Sequence, residues 1–250
     1  MIKRIEVKNI SKKFHADFRK SETALSSIVG FLSGRNEKRD LSVLDSVSFD
    51  VSSGEILGII GKNGSGKSTL LRLIAEVYQP DSGEIKTNGK VVYLTGVGQG
   101  SMPKLTMREN IYLMGAVMGL TQKDIKERFD EIVDFSGLRE FVDMRVYQFS
   151  TGMLARLNFS TVMHCVKHQN PDILLLDEVL SSGGDAKFKE QATAKMEELI
   201  KGGAAVIMVS HNEENFLNHC HKIIWLDDGK IKEVGNPTAV FEKYLLSVKK

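Results

Sequence analysis

The residues best suited to chemistry lie in one glycine-rich stretch, in which two spaced glycines precede Gly-Lys-Ser. The stretch consists of Gly61, Lys62, Asn63, Gly64, Ser65, Gly66, Lys67, Ser68 and Thr69. Glycines allow successive backbone N–H groups to curl around an anion, Lys67 supplies a point charge for phosphates, and the Ser68 hydroxyl is suited to Mg²⁺. We therefore predict a phosphate-binding loop for a nucleotide, rather than a glycine-rich turn that merely contains a lysine.

The segments on either side of this loop are those that phosphate binding requires. Residues 56–60 form an apolar run typical of a buried strand, and residues 68–74 have the composition of the first turns of a helix. The N-terminus of such a helix adds the positive end of its dipole to the anion site. The flanking segments therefore favour nucleotide binding.

A second candidate group is the acidic pair Asp177 and Glu178, which follows the apolar residues 173–176. A buried strand of this kind delivers both acids to the carboxyl end of a sheet, where open α/β sheets bind ligands. Asp177 can hold Mg²⁺ and Glu178 can polarise the attacking water, because phosphoryl transfer depends mainly on positioning and charge neutralisation. Acidic pairs after apolar runs are common, so this assignment depends on the phosphate loop upstream.

A third motif, Phe-Ser-Thr-Gly-Met at residues 149–153, precedes a helix start at Leu154. By pattern alone, Ser150 would be a helix cap. In its order and spacing between the two nucleotide motifs, however, the stretch resembles the Leu-Ser-Gly-Gly-Gln motif of ATP-binding cassette (ABC) ATPases. It has the variant form, Tyr-Ser-Ser-Gly-Met, that polysaccharide-exporting members carry. The resemblance covers essentially the whole chain and implies ATP and Mg²⁺ as cofactors.

This resemblance implies roles for residues outside the three motifs. His211 follows the apolar residues 205–209 and matches the family's switch histidine, which contacts the γ-phosphate and the water site. A lone histidine at a strand end is usually structural, so its position after Glu178 decides in favour of a catalytic role. Phe14 stands where ABC proteins place an aromatic ring that stacks on adenine; otherwise it is an ordinary aromatic residue at a strand end.

Two departures from the family pattern concern the metal and the partner subunit. Most ABC ATPases have a glutamine where this chain has Val97, and Gln99 is the candidate for that Mg²⁺-site glutamine. The family's Ser-Val-Gly-Asp is one residue longer here, and Asp185 is the candidate for the aspartate that crosses to the partner. Ser150 and Gly152 would face the phosphate loop of a second copy.

The motifs at residues 105–113 and 177–181 are most similar to ATPase subunits of O-antigen and teichoic-acid exporters. That group implies a homodimer that sandwiches two ATP molecules, an integral-membrane permease and a lipid-linked glycan. An exporter of drugs or lipids would differ only in its cargo. A soluble ABC ATPase acting on ribosomes or DNA is a third alternative, but such chains usually carry two cassettes or long coiled-coil insertions.

Composition excludes several other classes of protein. The net charge of +2 is too even to indicate a nucleic-acid partner, and no apolar run approaches the roughly 20 residues that span a bilayer. Without a signal peptide's apolar segment, the chain is expected in the cytoplasm, on the cytoplasmic face of the membrane and peripheral through the permease. The two cysteines suit a reducing compartment. The His and Cys groups at residues 164–168 and 219–221 lack the four convergent ligands of a zinc site, so we expect no metal besides Mg²⁺.

The expected fold class is α/β: a P-loop NTPase of the ABC type with an antiparallel β subdomain and a helical subdomain. We expect one domain over residues 1–250, with the β subdomain and an insert at about 1–55 and the helical subdomain at about 106–150. By family analogy, some relatives carry a C-terminal carbohydrate-binding domain, and we expect none here.

Local patterns predict several elements of this fold. Alternating residues predict antiparallel strands at 2–14 and 44–51, and hairpins at 85–94 and 223–231, the former closed at Asn88-Gly89. A capping box is predicted to begin at Thr121, and residues 237–248 are predicted to form a short helix. Residues 16–40 are either a loop with one packed surface helix or an amphipathic helix with basic ends that contacts a membrane protein or lipid headgroups.

Overall fold

A computed structural model describes residues 2–16, 39–95, 101–169, 171–178, 186–210 and 213–248. The strands are β1 (Lys3–Ala16), β2 (Arg39–Ser52), β3 (Ile56–Ile60), β4 (Ser82–Thr87), β5 (Val91–Thr95), β6 (Ile173–Asp177), β7 (Ala205–Val209), β8 (Lys222–Asp227) and β9 (Lys230–Gly235). The helices are α1 (Lys67–Ile74), α2 (Met107–Val117), α3 (Gln122–Ser136), α4 (Thr151–Gln169), α5 (Ala186–Lys201), α6 (Glu213–His219) and α7 (Pro237–Val248). The predicted α/β class is confirmed.

The central sheet has six strands in the order β5-β6-β7-β3-β8-β9. All neighbours are parallel except β8 and β9, which form the predicted antiparallel hairpin. Strands β3, β6 and β7 are buried at every position. Their continuous apolar runs are explained by this burial, because a central parallel strand is covered on both faces.

Two layers cover the faces of this sheet. One face packs against α1 and the inner side of an antiparallel sheet of order β2-β1-β4. The other face packs against α4 and α5, whose contributions include Phe159, Met163 and Phe188. The prediction that the first two strands are antiparallel strands is confirmed, and the structure shows that β1 and β2 pair with each other.

Helices α2 and α3 lie between β5 and α4 in the sequence. Together with residues of α4 they form a separate apolar cluster. Each begins at a capping box, formed by Thr106 with Glu109 and by Thr121 with Asp124. The cap predicted at Thr121 is therefore confirmed. Among the described residues, no helix is both long enough and apolar enough to cross a bilayer.

The hairpin predicted at residues 85–94 is wrong. Strand β4 pairs with β1 in the antiparallel sheet, whereas β5 pairs with β6 in the central sheet. Asn88-Gly89 does turn the chain, with Gly89 at φ 118°, but the turn passes from one sheet to the other. The carboxylate of Asp172 accepts a hydrogen bond from the Lys90 N–H at 2.9 Å and so anchors the start of β5 beside β6.

Candidate nucleotide-binding site

The glycine-rich loop leaves the carboxyl end of β3 and turns directly into α1. Gly66 occupies the N-cap position of α1 at φ 102°, a conformation that strongly favours glycine. Gly61 passes so close to β8 that a Cβ atom there would lie 2.1 Å from the Leu226 carbonyl oxygen. The loop is therefore held against the sheet, with the first N–H groups of α1 opening into it.

Lys67, the first residue of α1, folds its side chain back into the loop. Its ammonium donates hydrogen bonds to the carbonyl oxygens of Gly61 at 2.8 Å and Lys62 at 2.9 Å. Burial lowers the pKa of Lys67, while the charges of Glu178 and Asp177 act in the opposite direction. The two motifs that are far apart in sequence therefore meet around one buried cation.

Ser68 and Asp177 form the closest link between these motifs. The Ser68 hydroxyl donates to Asp177 Oδ1 at 3.1 Å, and Asp177 is only 6% exposed. The second carboxylate oxygen, Oδ2, accepts a hydrogen bond from the Tyr93 hydroxyl, also at 3.1 Å. Burial, supported by the charge of Asp177, raises the pKa of Tyr93 to about 12, so the phenol stays protonated and remains a donor.

Glu178 adopts a backbone conformation that few residues other than glycine occupy, with φ at 59°. Its N–H donates to the Val209 carbonyl oxygen at 2.9 Å, which holds it beside the end of β7. Such a conformation costs about 1–3 kcal/mol and persists only where the surroundings impose it. The strain lies at the acid for which the sequence predicts a role in water activation.

The loop fits a phosphate group. Among the described residues, none provides a hydrogen-bond partner for the buried Ser65 hydroxyl oxygen or a side-chain cap for the N-terminus of α1. An anion in the loop would accept from these donors and offset the Lys67 charge. Ser68 and Asp177 supply oxygen atoms, which are the ligands that Mg²⁺ prefers. The residues present therefore fit both a nucleotide phosphate and Mg²⁺.

Other predicted residues of the loop differ in exposure. Lys62, Asn63 and Gly64 are exposed, whereas Thr69 is half-buried. A Cβ atom on Gly64 would meet no atom of the described residues within 4 Å. The tip of the loop is therefore exposed, while its two ends are packed.

Phe14 lies near the end of β1 and is half-buried. Its ring packs edge-on against Tyr78, with the centroids 5.4 Å apart, and the Lys12 ammonium lies 5.5 Å from its centroid. The ring predicted to stack on adenine is therefore already supported by neighbours. Its role in base binding stays a prediction.

Ser150 and Gly152 lie at the start of α4. Ser150 is exposed and caps α4, because its hydroxyl accepts from the Met153 N–H at 3.2 Å and its carbonyl oxygen from the Leu154 N–H at 2.9 Å. The alternative interpretation of Ser150, that it caps a helix, is therefore confirmed. Capping and a contact with a partner subunit do not exclude each other.

Three predicted site residues, Gln99, Asp185 and His211, lie outside the described residues, as does most of the insert at residues 16–40. Two histidines from the dismissed metal groups have other contacts. His164 Nδ1 bonds to the Ser160 carbonyl oxygen at 2.8 Å, and His221 Nδ1 accepts from the Ile56 N–H at 3.0 Å.

Two residues of the site escaped the sequence analysis: Tyr93 and Arg72. Arg72, on α1, interacts with both Tyr93 and Tyr78, and these interactions raise the pKa of its guanidinium. Alternation along β5 places Tyr93 and Thr95 on one face, but it does not identify the neighbouring strand. The contact between Tyr93 and Asp177 depends on the pairing of β5 with β6, which the hairpin interpretation had excluded.

A glycine-rich loop between a buried strand and a helix, with its serine bonded to an aspartate at the end of a neighbouring strand, defines a P-loop nucleotide-binding protein. A family model described as ABC transporter matches residues 44–181. The chain belongs to this family, as its motifs predicted.

Relatives named for polysaccharide export are among the most similar proteins. An O-antigen export system ATP-binding protein of Myxococcus xanthus is 36% identical over 245 residues, which cover 96% of this chain and 55% of that protein. One from Klebsiella pneumoniae is 37% identical over 206 residues, 82% of each chain. A teichoic acids export ATP-binding protein of Lactococcus lactis is 37% identical over 242 residues, 96% of this chain and 50% of that protein. The chain thus spans about half the length of the first and third of these relatives.

Solved structures with the same fold are more distant in sequence. One, described as the ATP-binding subunit of an ABC transporter, is 22% identical with a TM-score of 0.71 and covers 97% of this chain and 94% of its own. Another is a dimeric ATP-binding cassette in a post-hydrolysis state bound to ADP and Pi. It is 22% identical with a TM-score of 0.68, and the match covers 93% of this chain and 98% of that one. At this identity the likeness establishes the fold.

Proposed function

We propose that the chain is the ATP-hydrolysing subunit of an ABC exporter that drives a lipid-linked polysaccharide, of the O-antigen, capsule or teichoic-acid type, across the cytoplasmic membrane. The observation that carries the ATPase part is the 3.1 Å hydrogen bond between Ser68 and Asp177, because it joins the phosphate loop to the acid of β6. The relatives named for O-antigen and teichoic-acid export support the cargo class. An exporter of another cargo is the alternative.

In this function the loop amides and Lys67 bind the phosphates of ATP, and Phe14 stacks on the adenine ring. Lys67 already lies inside the loop, bonded to two carbonyl oxygens. A phosphate oxygen is a stronger acceptor for an ammonium than a neutral carbonyl, so binding would exchange weaker hydrogen bonds for charge-assisted ones. The unpartnered Ser65 hydroxyl would gain an acceptor.

Ser68 and Asp177 would hold Mg²⁺, with Gln99 as a further candidate ligand. When bound, the metal neutralises charge that develops on the phosphates. Glu178 would orient and deprotonate the attacking water, and His211 would link that water site to the γ-phosphate. The placement of Glu178 one residue after Asp177, beside the end of β7, supports this division of roles.

A second copy of the chain would complete each ATP site. In this arrangement Ser150 and Gly152 of one copy, together with Asp185, face the phosphate loop of the other. The exposure of Ser150 at the start of α4 is compatible with such a contact. The homodimer would act on a membrane permease, which places the chain peripherally on the cytoplasmic face of the membrane.

Replacing Glu178 with glutamine tests the ATPase assignment. The amide keeps the shape of the side chain and loses the charge that orients water, so ATP turnover with the permease present should fall at least about a hundredfold while ATP binding persists. Glu131→Gln is the matched control, because Glu131 is an exposed residue of α3. Turnover of Glu178→Gln within a few-fold of the wild type would contradict the assignment.

The cargo is tested in the source organism with the same variant. Surface polysaccharide should fall and lipid-linked glycan should accumulate in extracted membranes, because synthesis continues while export stops. The Glu131→Gln strain should retain both at wild-type levels. Unchanged surface polysaccharide in a strain whose ATPase is inactive would assign the chain to another cargo.

A further inference from the structure

The carboxylate of Asp177 is held from two sides by two different donors. Ser68 donates to Oδ1 and Tyr93 to Oδ2, each at 3.1 Å. A carboxylate with donors on both oxygens has a fixed rotation about its last side-chain bond. Its buried position strengthens both hydrogen bonds, since competing water is excluded.

The guanidinium of Arg72, on α1, interacts with the Tyr93 phenol and acts to lower its pKa, against the larger effect of burial. A guanidinium only donates hydrogen bonds, so it does not compete with Asp177 for the proton of the phenol. The Tyr93 hydroxyl donates that proton to Asp177 Oδ2 at 3.1 Å.

The pairing of β5 with β6 explains why a tyrosine reaches this acid. Tyr93 is opposite Leu175 and Thr95 is opposite Asp177 in the parallel register. Residues 175 and 177 lie on the same face, so Tyr93 meets Asp177 on the diagonal, a separation that long aromatic side chains span. A smaller residue at position 93 would leave Oδ2 without this donor.

We propose that Tyr93 is a positioning residue for the metal site: its hydroxyl occupies Asp177 Oδ2 and so keeps Oδ1 at the Ser68 hydroxyl, where Mg²⁺ would bind. The inference rests on the proposed function, because it takes Ser68 and Asp177 to be the metal-binding residues. Tyr93 acts through Asp177 and touches neither metal nor nucleotide. Its hydrogen bond to Asp177 also connects β5 to the site.

Binding of Mn²⁺, a spectroscopic substitute for Mg²⁺, tests this role without measuring turnover. Tyr93→Phe keeps the ring and removes only the hydroxyl. Removing a partner that orients a ligand typically lowers metal affinity by about 10–100-fold, so we expect at least about a tenfold loss of Mn²⁺ affinity by electron paramagnetic resonance with ADP present. ADP affinity in EDTA should change less than about twofold, because the phosphate loop is intact.

Tyr78→Phe is the matched control. Tyr78 also interacts with Arg72 but has no described contact with Asp177, so removing its hydroxyl should leave Mn²⁺ affinity unchanged. Equal effects of the two variants would overturn the positioning role and leave a general effect of Arg72. Melting temperatures measured by circular dichroism show whether each variant is folded.

A double-mutant cycle tests separately whether Tyr93 acts through Asp177. If Tyr93 acts through Asp177, then Tyr93→Phe should change Mn²⁺ affinity by less than about twofold in an Asp177→Asn background, because coupled effects are not additive. A full additional loss would overturn the proposal. Failure of the proposed function looks different: the wild type itself would bind ADP equally with and without Mn²⁺. Unchanged affinity of Tyr93→Phe beside normal wild-type metal dependence would overturn the role of Tyr93 alone.

Discussion

Gly61 is the position in the phosphate loop where an added methyl group should do most damage. A Cβ atom there would lie 2.1 Å from the Leu226 carbonyl oxygen and 2.6 Å from Ser65 Oγ. Leu226 cannot retreat easily, because β8 is paired with β3 on one side and β9 on the other. Gly61→Ala must therefore displace the loop from the sheet or distort the sheet.

The size of the effect follows from overpacking and backbone conformation. Forcing an extra methyl group into a packed site typically costs about 1–3 kcal/mol, and the φ of 155° at Gly61 adds strain of about 1 kcal/mol for a residue with a side chain. A total of about 3 kcal/mol, at about 2–4 °C per kcal/mol for a chain of this size, lowers the melting temperature by about 6–12 °C.

Gly64→Ala is the control that separates the cost of overpacking from the cost of the backbone conformation. Gly64 also has a positive φ, 82°, but within the described part of the chain its Cβ would meet no atom closer than 4 Å. Only the conformational cost of about 1–2 kcal/mol remains, so the melting temperature should fall by about 2–8 °C. Circular dichroism melts of both variants without nucleotide provide the comparison. A fall for Gly61→Ala no larger than that for Gly64→Ala would refute the close packing against Leu226.

Two further predictions concern buried ionisable groups. Lys67→Met removes an unfavourable buried charge together with two favourable hydrogen bonds, so the melting temperature without ligand should stay within about 3 °C of the wild type. ATP at 100 times its dissociation constant stabilises a protein that binds it by about 2.7 kcal/mol. The variant should lose this stabilisation by ATP. Persistence of that stabilisation, in melts with and without MgATP, would contradict the role of the lysine. Burial raises the pKa of Cys165 to about 11 and of Cys220 to about 12, so neither thiol should react with Ellman's reagent at pH 8 in the folded protein, whereas both should react in guanidinium. Rapid labelling of the folded protein would show that these cysteines are accessible.

The sequence predicts the centre of the fold better than its connections. Continuous apolar runs identify β3, β6 and β7, because only a strand covered on both faces can consist of such residues. The capping box at Thr121 is equally local, since all its partners lie within one helical turn. These features need no knowledge of distant residues.

Pairing between distant segments was harder to predict. Asn88-Gly89 is a strong hairpin signal, yet the residues that decide the outcome are Asp172, which anchors Lys90, and the apolar face of β6. Because the partner of β5 comes about 80 residues later, no local pattern reveals it. The same error concealed Tyr93, whose only signal was its place two residues before Thr95 in an alternating strand.

Three unfavourable features of the structure lie where the ligand is proposed to bind. A buried ammonium at Lys67, an unpartnered hydroxyl at Ser65 and a positive φ at Glu178 each reduce stability, and all three belong to the two nucleotide motifs. A phosphate group would relieve the first two, since it would add negative charge beside Lys67 and an acceptor for the Ser65 hydroxyl. The strain at Glu178 would remain, which is expected if that conformation serves to aim the carboxylate at a water molecule. Ligand binding can therefore restore part of the stability that the first two features cost.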